Sequence, residues 1–180
     1  MIRLEYFERS DFKQLIDWID SASFLLQWGG PGFEYPLDRR QLHQYLEGTN
    51  HAGAERLVYK VIEEETGNTI GHISLGMIDR KNRTARIGKV LVGDKDTRGR
   101  GIGGKIIKGI LQIAFEDLHL YRVNLGVFDF NASAIACYEK AGFTKERYLK
   151  DARKLGDVYW SMWEMSVFES EWRGKNTNLS

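Results

Sequence analysis

With 180 residues, 26 lysines and arginines against 25 aspartates and glutamates, and a formal net charge of +1, the chain is sized for one domain and lacks the basic excess of a general nucleic-acid binder. Its one cysteine, Cys137, excludes an internal disulfide framework, and no apolar run approaches membrane-spanning length. The first residues turn charged and polar too early for a secretory signal, so a cytoplasmic soluble protein is expected, with neither nucleic acid nor membrane as partner.

Ile2 to Phe7 reads as a strand with Ile2, Leu4 and Tyr6 on one face. Ser10 offers an N-cap for a helix to about Asp20 that turns Phe12, Leu15, Ile16 and Ile19 inward. The stretch from Ser21 to Asp38 holds both prolines, a glycine cluster and the aromatics Phe24, Trp28, Phe33 and Tyr35. It reads as a loop between helices, either pinned to the core or lining a substrate pocket. A short helix from Asp38 to Glu47 follows. Leu57 to Glu64, Thr69 to Ile78 and Ala85 to Val92 then read as three consecutive strands of an antiparallel meander, with Gly67 and Arg80 to Arg83 in the turns.

Behind the third strand lies the densest signal in the chain: Arg98, Gly99, Arg100, Gly101, Ile102, Gly103, Gly104, Lys105, leading into Ile106, Ile110 and Ile113 at helical spacing as far as Leu118. Strand, glycine loop and helix in that order make an anion site, because the first helical turn has unpaired N–H groups and glycine lets a phosphate reach them. Downstream, Arg122 to Phe128 is a strand and Asn131 to Ala141 a helix ended by Gly142. Phe143 to Leu149 and Val158 to Phe168 are strands joined by a polar loop, and the residues past Arg173 are expected to fray. The expectation is a single domain over 1–172 with a tail over 173–180. The aromatics Trp160, Trp163, Phe168 and Trp172 fill the core or supply a dimer face, leaving monomer and homodimer both open.

Three motifs overlap on the glycine loop. Gly99, Gly101 and Gly104 fit the G-x-G-x-x-G of dinucleotide folds, but six residues separate Val92 from Gly99 and the preceding strands are antiparallel. Gly99 to Lys105 fits G-x-x-x-x-G-K of the P-loop, but Ile106 stands where a serine or threonine must hold magnesium. The third is R-x-x-G-x-G, carried by Arg98, Gly101 and Gly103. Together with Asn131, Ala134, Tyr138, Gly142 and Phe143 in N-x-x-A-x-x-x-Y-x-x-x-G-F, it resembles the GNAT superfamily of acetyl-CoA-dependent N-acetyltransferases. The resemblance runs from about Ile2 to Glu171, and the ending resembles the branch with ribosomal-protein N-terminal and spermidine acetyltransferases.

That resemblance implies an α/β (α+β) fold: a mixed, mostly antiparallel central sheet of about seven strands flanked by helices on both faces. It implies acetyl-CoA as cosubstrate, lying where two strands splay apart, and no metal. Val90, Leu91 and Val92 would offer backbone groups to the pantetheine arm. Amides from Gly99 through Gly101, Ile102, Gly103 and Gly104 would cradle the diphosphate with Arg98 and Arg100, while Lys105 either joins them or is solvated. Asn131 would cap its helix and bond the pantetheine. Tyr138 would donate a proton to the departing thiolate. Cys137 has no histidine beside it and reads as a structural thiol. The strand before the glycine loop, ARIGKVLV, carries no acid, so Glu34, Asp129 and His72 are the candidate bases for a water-relayed deprotonation. The acceptor would be a primary amine: a protein N-terminus, a polyamine or other small metabolite, or an aminoglycoside-like amine. The competing functions are an acetyl-CoA sensor without turnover and a P-loop nucleotide enzyme.

Overall fold

The computed structural model describes residues 1–177. Seven strands form one sheet in the order β1-β2-β3-β4-β5-β7-β6. They are β1 (Ile2–Tyr6), β2 (Leu57–Glu63), β3 (Thr69–Asp79), β4 (Thr84–Val92), β5 (Arg122–Phe128), β6 (Thr144–Leu155) and β7 (Val158–Phe168). Every neighbouring pair is antiparallel except β4 and β5, which run parallel. A parallel pair needs a crossover, and helix α4 (Ile102–Gln112) supplies it, so the glycine turn sits at the mouth of the one parallel junction.

Both faces of the central strands are covered, and the side-chain period of two shows it. Along β2, Leu57, Tyr59 and Val61 join a core with Ile106, Ile107, Ile110 and Phe115 of the α4 side, while Val58 faces the opposite cluster. That second cluster is built by α1 (Phe12–Trp18), α2 (Ala22–Gly29) and α3 (Arg39–Leu46) through Phe12, Leu15, Leu25, Trp28, Leu42 and Tyr45. Helix α5 (Ala132–Ala141) lies beside α4, capped by Asn131 and ended by Gly142 in the left-handed region at φ 110°.

Several boundaries depart from the sequence expectation. The stretch after Ser21 is not loop throughout. Ser21 Oγ accepts the Phe24 N–H at 3.1 Å, and Leu25, Leu26 and Trp28 are buried, so tertiary burial makes a helix that ends where Gly30 takes φ 69°. The first helix is entered at Glu8 rather than Ser10, with the Glu8 N–H donating to Asp11 Oδ2 at 2.8 Å. Helix α4 gives way to a π-helical turn at Ile113–Asp117. The polar loop expected after Leu149 is strand as far as Leu155. β6 is a sheet edge, solvated along most of its length, so no apolar alternation marks it. Residues 174–177, expected to fray, extend α6 (Glu169–Thr177), which Trp172 anchors at 5.3 Å from the ring of Phe115; the rest of that expectation lies outside the described residues. Trp160, Trp163 and Phe168 are half-buried, whereas Trp172 belongs to the core.

Candidate active site

β4 and β5 pair over only three positions, Thr84–Arg122, Ala85–Val123 and Arg86–Asn124, and then part. Two devices open this fork. At its root, Arg86 of β4 makes a two-pronged ion pair with Glu164 of β7 at 2.7 and 2.9 Å. It also donates to Asn124 Oδ1 of β5 at 3.0 Å, fastening three strands together. Above it, β4 bulges: Gly88 lies opposite Ser74 but Leu91 opposite His72, so β4 carries one residue more than β3. Lys89 takes φ 55° in the bulge, and its carbonyl accepts the Trp28 indole N–H at 3.0 Å. Helix α2 thus holds the bend that swings β4 away from β5.

The resulting crevice, about 110 Å³, passes through the sheet. Its walls include Gly88, Lys89, Val90, Gly126, Asn131 and Tyr138. A Cβ on Gly126 would meet Met162 Cε at 2.3 Å and the Arg86 guanidinium at 2.7 Å, so any side chain there would push on the clasp. Toward the glycine turn, Gly93 N–H donates to Ile70 O on the β3 side, so alternation turns the backbone groups of Val92 toward the fork. The Val92 carbonyl there accepts Arg98 Nε at 3.1 Å, while Leu91 is paired with His72 of β3. Gly93 itself packs flat under Trp18, whose indole a Cβ would strike at 2.1 Å.

The turn that follows leaves its backbone open. Gly99 and Gly101 have φ 80° and 73°, and a Cβ on Gly99, Gly101 or Gly104 would meet open space. Gly101 is the N-cap of α4 and brings no side chain to its first turn, so the amides of Ile102, Gly103 and Gly104 face outward. Arg100 pairs with Glu63 at 3.1 Å. A groove of about 560 Å³ continues from Gly101 and Gly104 between α4 and α5, edged by Lys105, Lys108, Lys140 and Lys175. Cys137 lines this groove rather than the fork, and burial pushes its thiol up, away from the reactive thiolate.

Asn131 both caps α5, accepting the Ala134 N–H at 3.4 Å, and borders the fork. Tyr138, two turns on, is buried against Phe143 at the floor of the crevice; burial raises its pKa, keeping the phenol protonated. None of the three candidate bases is among the residues lining the fork, although Asp129 directly follows Phe128, which is. Glu34 is exposed on the rim of a neighbouring cavity, and Asp129 accepts the Tyr148 hydroxyl at 2.8 Å. His72 is 1 % exposed, ringed by Phe7, Trp28 and Tyr45, and burial with the nearby Lys89 charge holds its pKa near about 3. Its Nε2 lies 3.1 Å from the Tyr45 hydroxyl and its Nδ1 has no partner, so it is a neutral core histidine.

Lys89 also lines that neighbouring cavity, of about 500 Å³, under the α2–α3 loop. Its ammonium lies over the rings of Phe33 and Tyr45 at 5.7 and 5.2 Å, and Arg56 lies over Tyr45 at 5.3 Å while donating to the Tyr45 carbonyl. The sequence singled out neither Lys89 nor the Arg86–Glu164 clasp, because no local pattern marks a bulge or a pairing across 78 residues. Among the described residues no group of three or more His, Cys, Asp or Glu is arranged to hold a metal ion, and no helix is long and apolar enough to cross a membrane.

Comparison with known proteins gives a consistent picture. A family model described as the acetyltransferase (GNAT) family matches residues 13–143. The spermidine N(1)-acetyltransferase of Vibrio cholerae is 24% identical over 176 residues, 97% of each chain. An aminoglycoside N(6')-acetyltransferase type 1 of Klebsiella pneumoniae is 25% identical over 154 residues, 81% of this chain and 75% of that one. Among solved structures, the V. cholerae spermidine N-acetyltransferase in complex with CoA and spermine superposes with a TM-score of 0.82 at 22% identity, covering 96% of this chain and 98% of the other.

Proposed function

The chain belongs to the acetyltransferase (GNAT) family, and from that premise we propose that it transfers the acetyl group directly to a primary amine held at the fork of β4 and β5. Acetyl-CoA is the cosubstrate and supplies the acetyl thioester. The observation that carries the reading is the fork: strand edges left unpaired beyond Arg86, a phenol at the floor and an uncapped helix N-terminus at one end. Val90 and Val92 would lend backbone groups to an extended arm. Gly99 to Gly104 and Arg98 would hold the phosphates, and Asn131 would orient the acyl end.

An alkylammonium has an ordinary pKa near 10, so about one acceptor in a thousand is neutral at pH 7. Glu34, Asp129 and His72 are not among the fork's lining residues, which supports proton loss to water rather than to one dedicated base. Tyr138, kept neutral by burial, would donate its O–H to the sulfur as negative charge develops there. Strands from both ends of the chain share one sheet, which supports a single catalytic domain, and the lone thiol supports a cytoplasmic setting.

The test is free-thiol release from acetyl-CoA by the purified chain across a panel of primary amines, beside a thermal-shift series with acetyl-CoA and CoA. Amine-dependent thiol release supports the reading. Stabilisation by CoA with no release for any amine would leave a sensor module in its place.

A further inference from the structure

The cavity beside the fork has an unbalanced charge. Lys89, Arg56 and Arg40 line it, against one carboxylate, that of Glu34 on the exposed rim. None of the ion pairs among the described residues involves any of the three cations. Lys89 is half-buried, and its neighbours are the Tyr45 and Phe33 rings and the like charges of Arg56 and Arg86. Arg86 is already matched by Glu164, and Arg40 shares its field with the capping Asp38. Lys89 and Arg56 therefore both lie over one ring, Tyr45, and neither forms an ion pair among the described residues.

We infer that the acceptor amine carries an anionic group, a carboxylate or a phosphate, seated on Lys89 and Arg56 while its nitrogen enters the fork. The inference rests on the fork being the site of transfer. Lys89 joins the two spaces, since it belongs to the walls of both. Lys89, half-buried with no carboxylate beside it, is costly to keep charged in the empty protein, and an anion that reaches it and the exposed Arg56 removes that cost. The same charges act against a polycation. Spermidine, the substrate in the name of the V. cholerae relative, would meet like charge where an acceptor must pass. Glu34 alone does not reverse the sign, and its backbone N–H is engaged by Gln41 at 2.8 Å, which fixes the loop at the rim.

The experiment compares kcat/KM, read by thiol release, for ω-amino carboxylates from 3-aminopropanoate to 6-aminohexanoate, for 2-aminoethyl phosphate, for alkylamines of matched length and for spermidine. An anion-bearing acceptor is expected to exceed its uncharged counterpart by about tenfold or more, with spermidine below both. The carboxylate and phosphate arms identify which anion fits. Lys89→Met and Arg56→Met should each collapse that ratio, while Lys89→Arg should keep most of it. Spermidine as the best acceptor, or a ratio untouched by both Met variants, overturns the inference and leaves acetyl transfer standing. Calorimetry on the CoA-bound protein with the N-acetylated forms of the same acids separates the opposite case. Anion-dependent binding that Lys89→Met abolishes, with no turnover, sustains the anion seat and removes the transfer reading. Neither binding nor an anion preference in turnover overturns the inference.

Discussion

Replacing Lys89 by methionine should stabilise the free protein at neutral pH and should do so less as the pH rises. Burial, reinforced by Arg56 and Arg86, lowers the Lys89 pKa from 10.5 to about 8. At 1.36 kcal/mol per pH unit, that depression is a penalty of about 3 kcal/mol on the folded state below pH 8. The sign follows from proton counting. Between the folded pKa and the ordinary one, the unfolded chain binds the proton and the folded chain does not, so wild-type stability rises with pH across that window. Lys89→Met lacks this contribution. Its advantage over wild type should be about 3 kcal/mol at pH 7 and should decline between about pH 8 and 10.5 as the wild-type lysine loses its charge. Urea unfolding of both proteins at pH 7, 8.5 and 10, taken as a difference, cancels every other titrating group. A flat difference curve, or a methionine variant that is less stable at pH 7, would refute the account of Lys89 as an unmatched charge.

Tyr138→Phe should lower kcat by about two orders of magnitude or more with little change in the affinity for CoA, because only the O–H is lost from a floor that stays packed on Phe143; single-turnover thiol release checks it. Gly101→Ala forces an alanine to φ 73°, costing about 1–2 kcal/mol of stability, and its methyl projects where a diphosphate would pass. CoA affinity by calorimetry should fall about tenfold, an effect that the stability loss of a still-folded protein does not produce. Trp172→Ala removes a side chain 5 % exposed from its place on Phe115 and should cost about 3–5 kcal/mol, a fall of about 10 °C in Tm. A change near zero would mean that the last helix does not belong to the core.

What the sequence made legible was local. The glycine turn could be read because positive φ at Gly99 and Gly101 demands glycine, and because α4 behind it repeats isoleucine at helical spacing. The meander of β2, β3 and β4 showed because β2 and β3 are almost continuous buried apolar runs bounded by turn residues, and the first half of β4 alternates. β6 failed that test at its far end: an edge strand defends itself with charge, and TKERYLKDARKL carries no face to recognise. Helix α2 was hidden by the Gly29–Gly32 cluster at its end, although Ser21 and the spacing of Leu25 and Trp28 were there to be used. The clasp of Arg86 with Glu164 and the bulge at Lys89 have no local signature, because each exists only after β4, β5, β7 and α2 have met.

This division bears on how far kinship reaches. In our reading the donor side would be main chain: bare amides at the start of α4, an unpaired strand edge, and glycines where a side chain would intrude. Main-chain geometry is set by the fold, so relatives near a quarter identical that keep the fold also keep a seat for the same cosubstrate. In our reading the acceptor side would be made of side chains from distant segments, Phe33 and Arg40 from the α2–α3 region, Arg56 before β2 and Lys89 on the bulge, and any of them can change without disturbing the sheet. A substrate inherited by name from a polyamine or aminoglycoside enzyme would therefore be inherited on the half of the site that the fold does not constrain. In this chain that half is positively charged, and the acceptor should be sought among amines that carry the opposite sign.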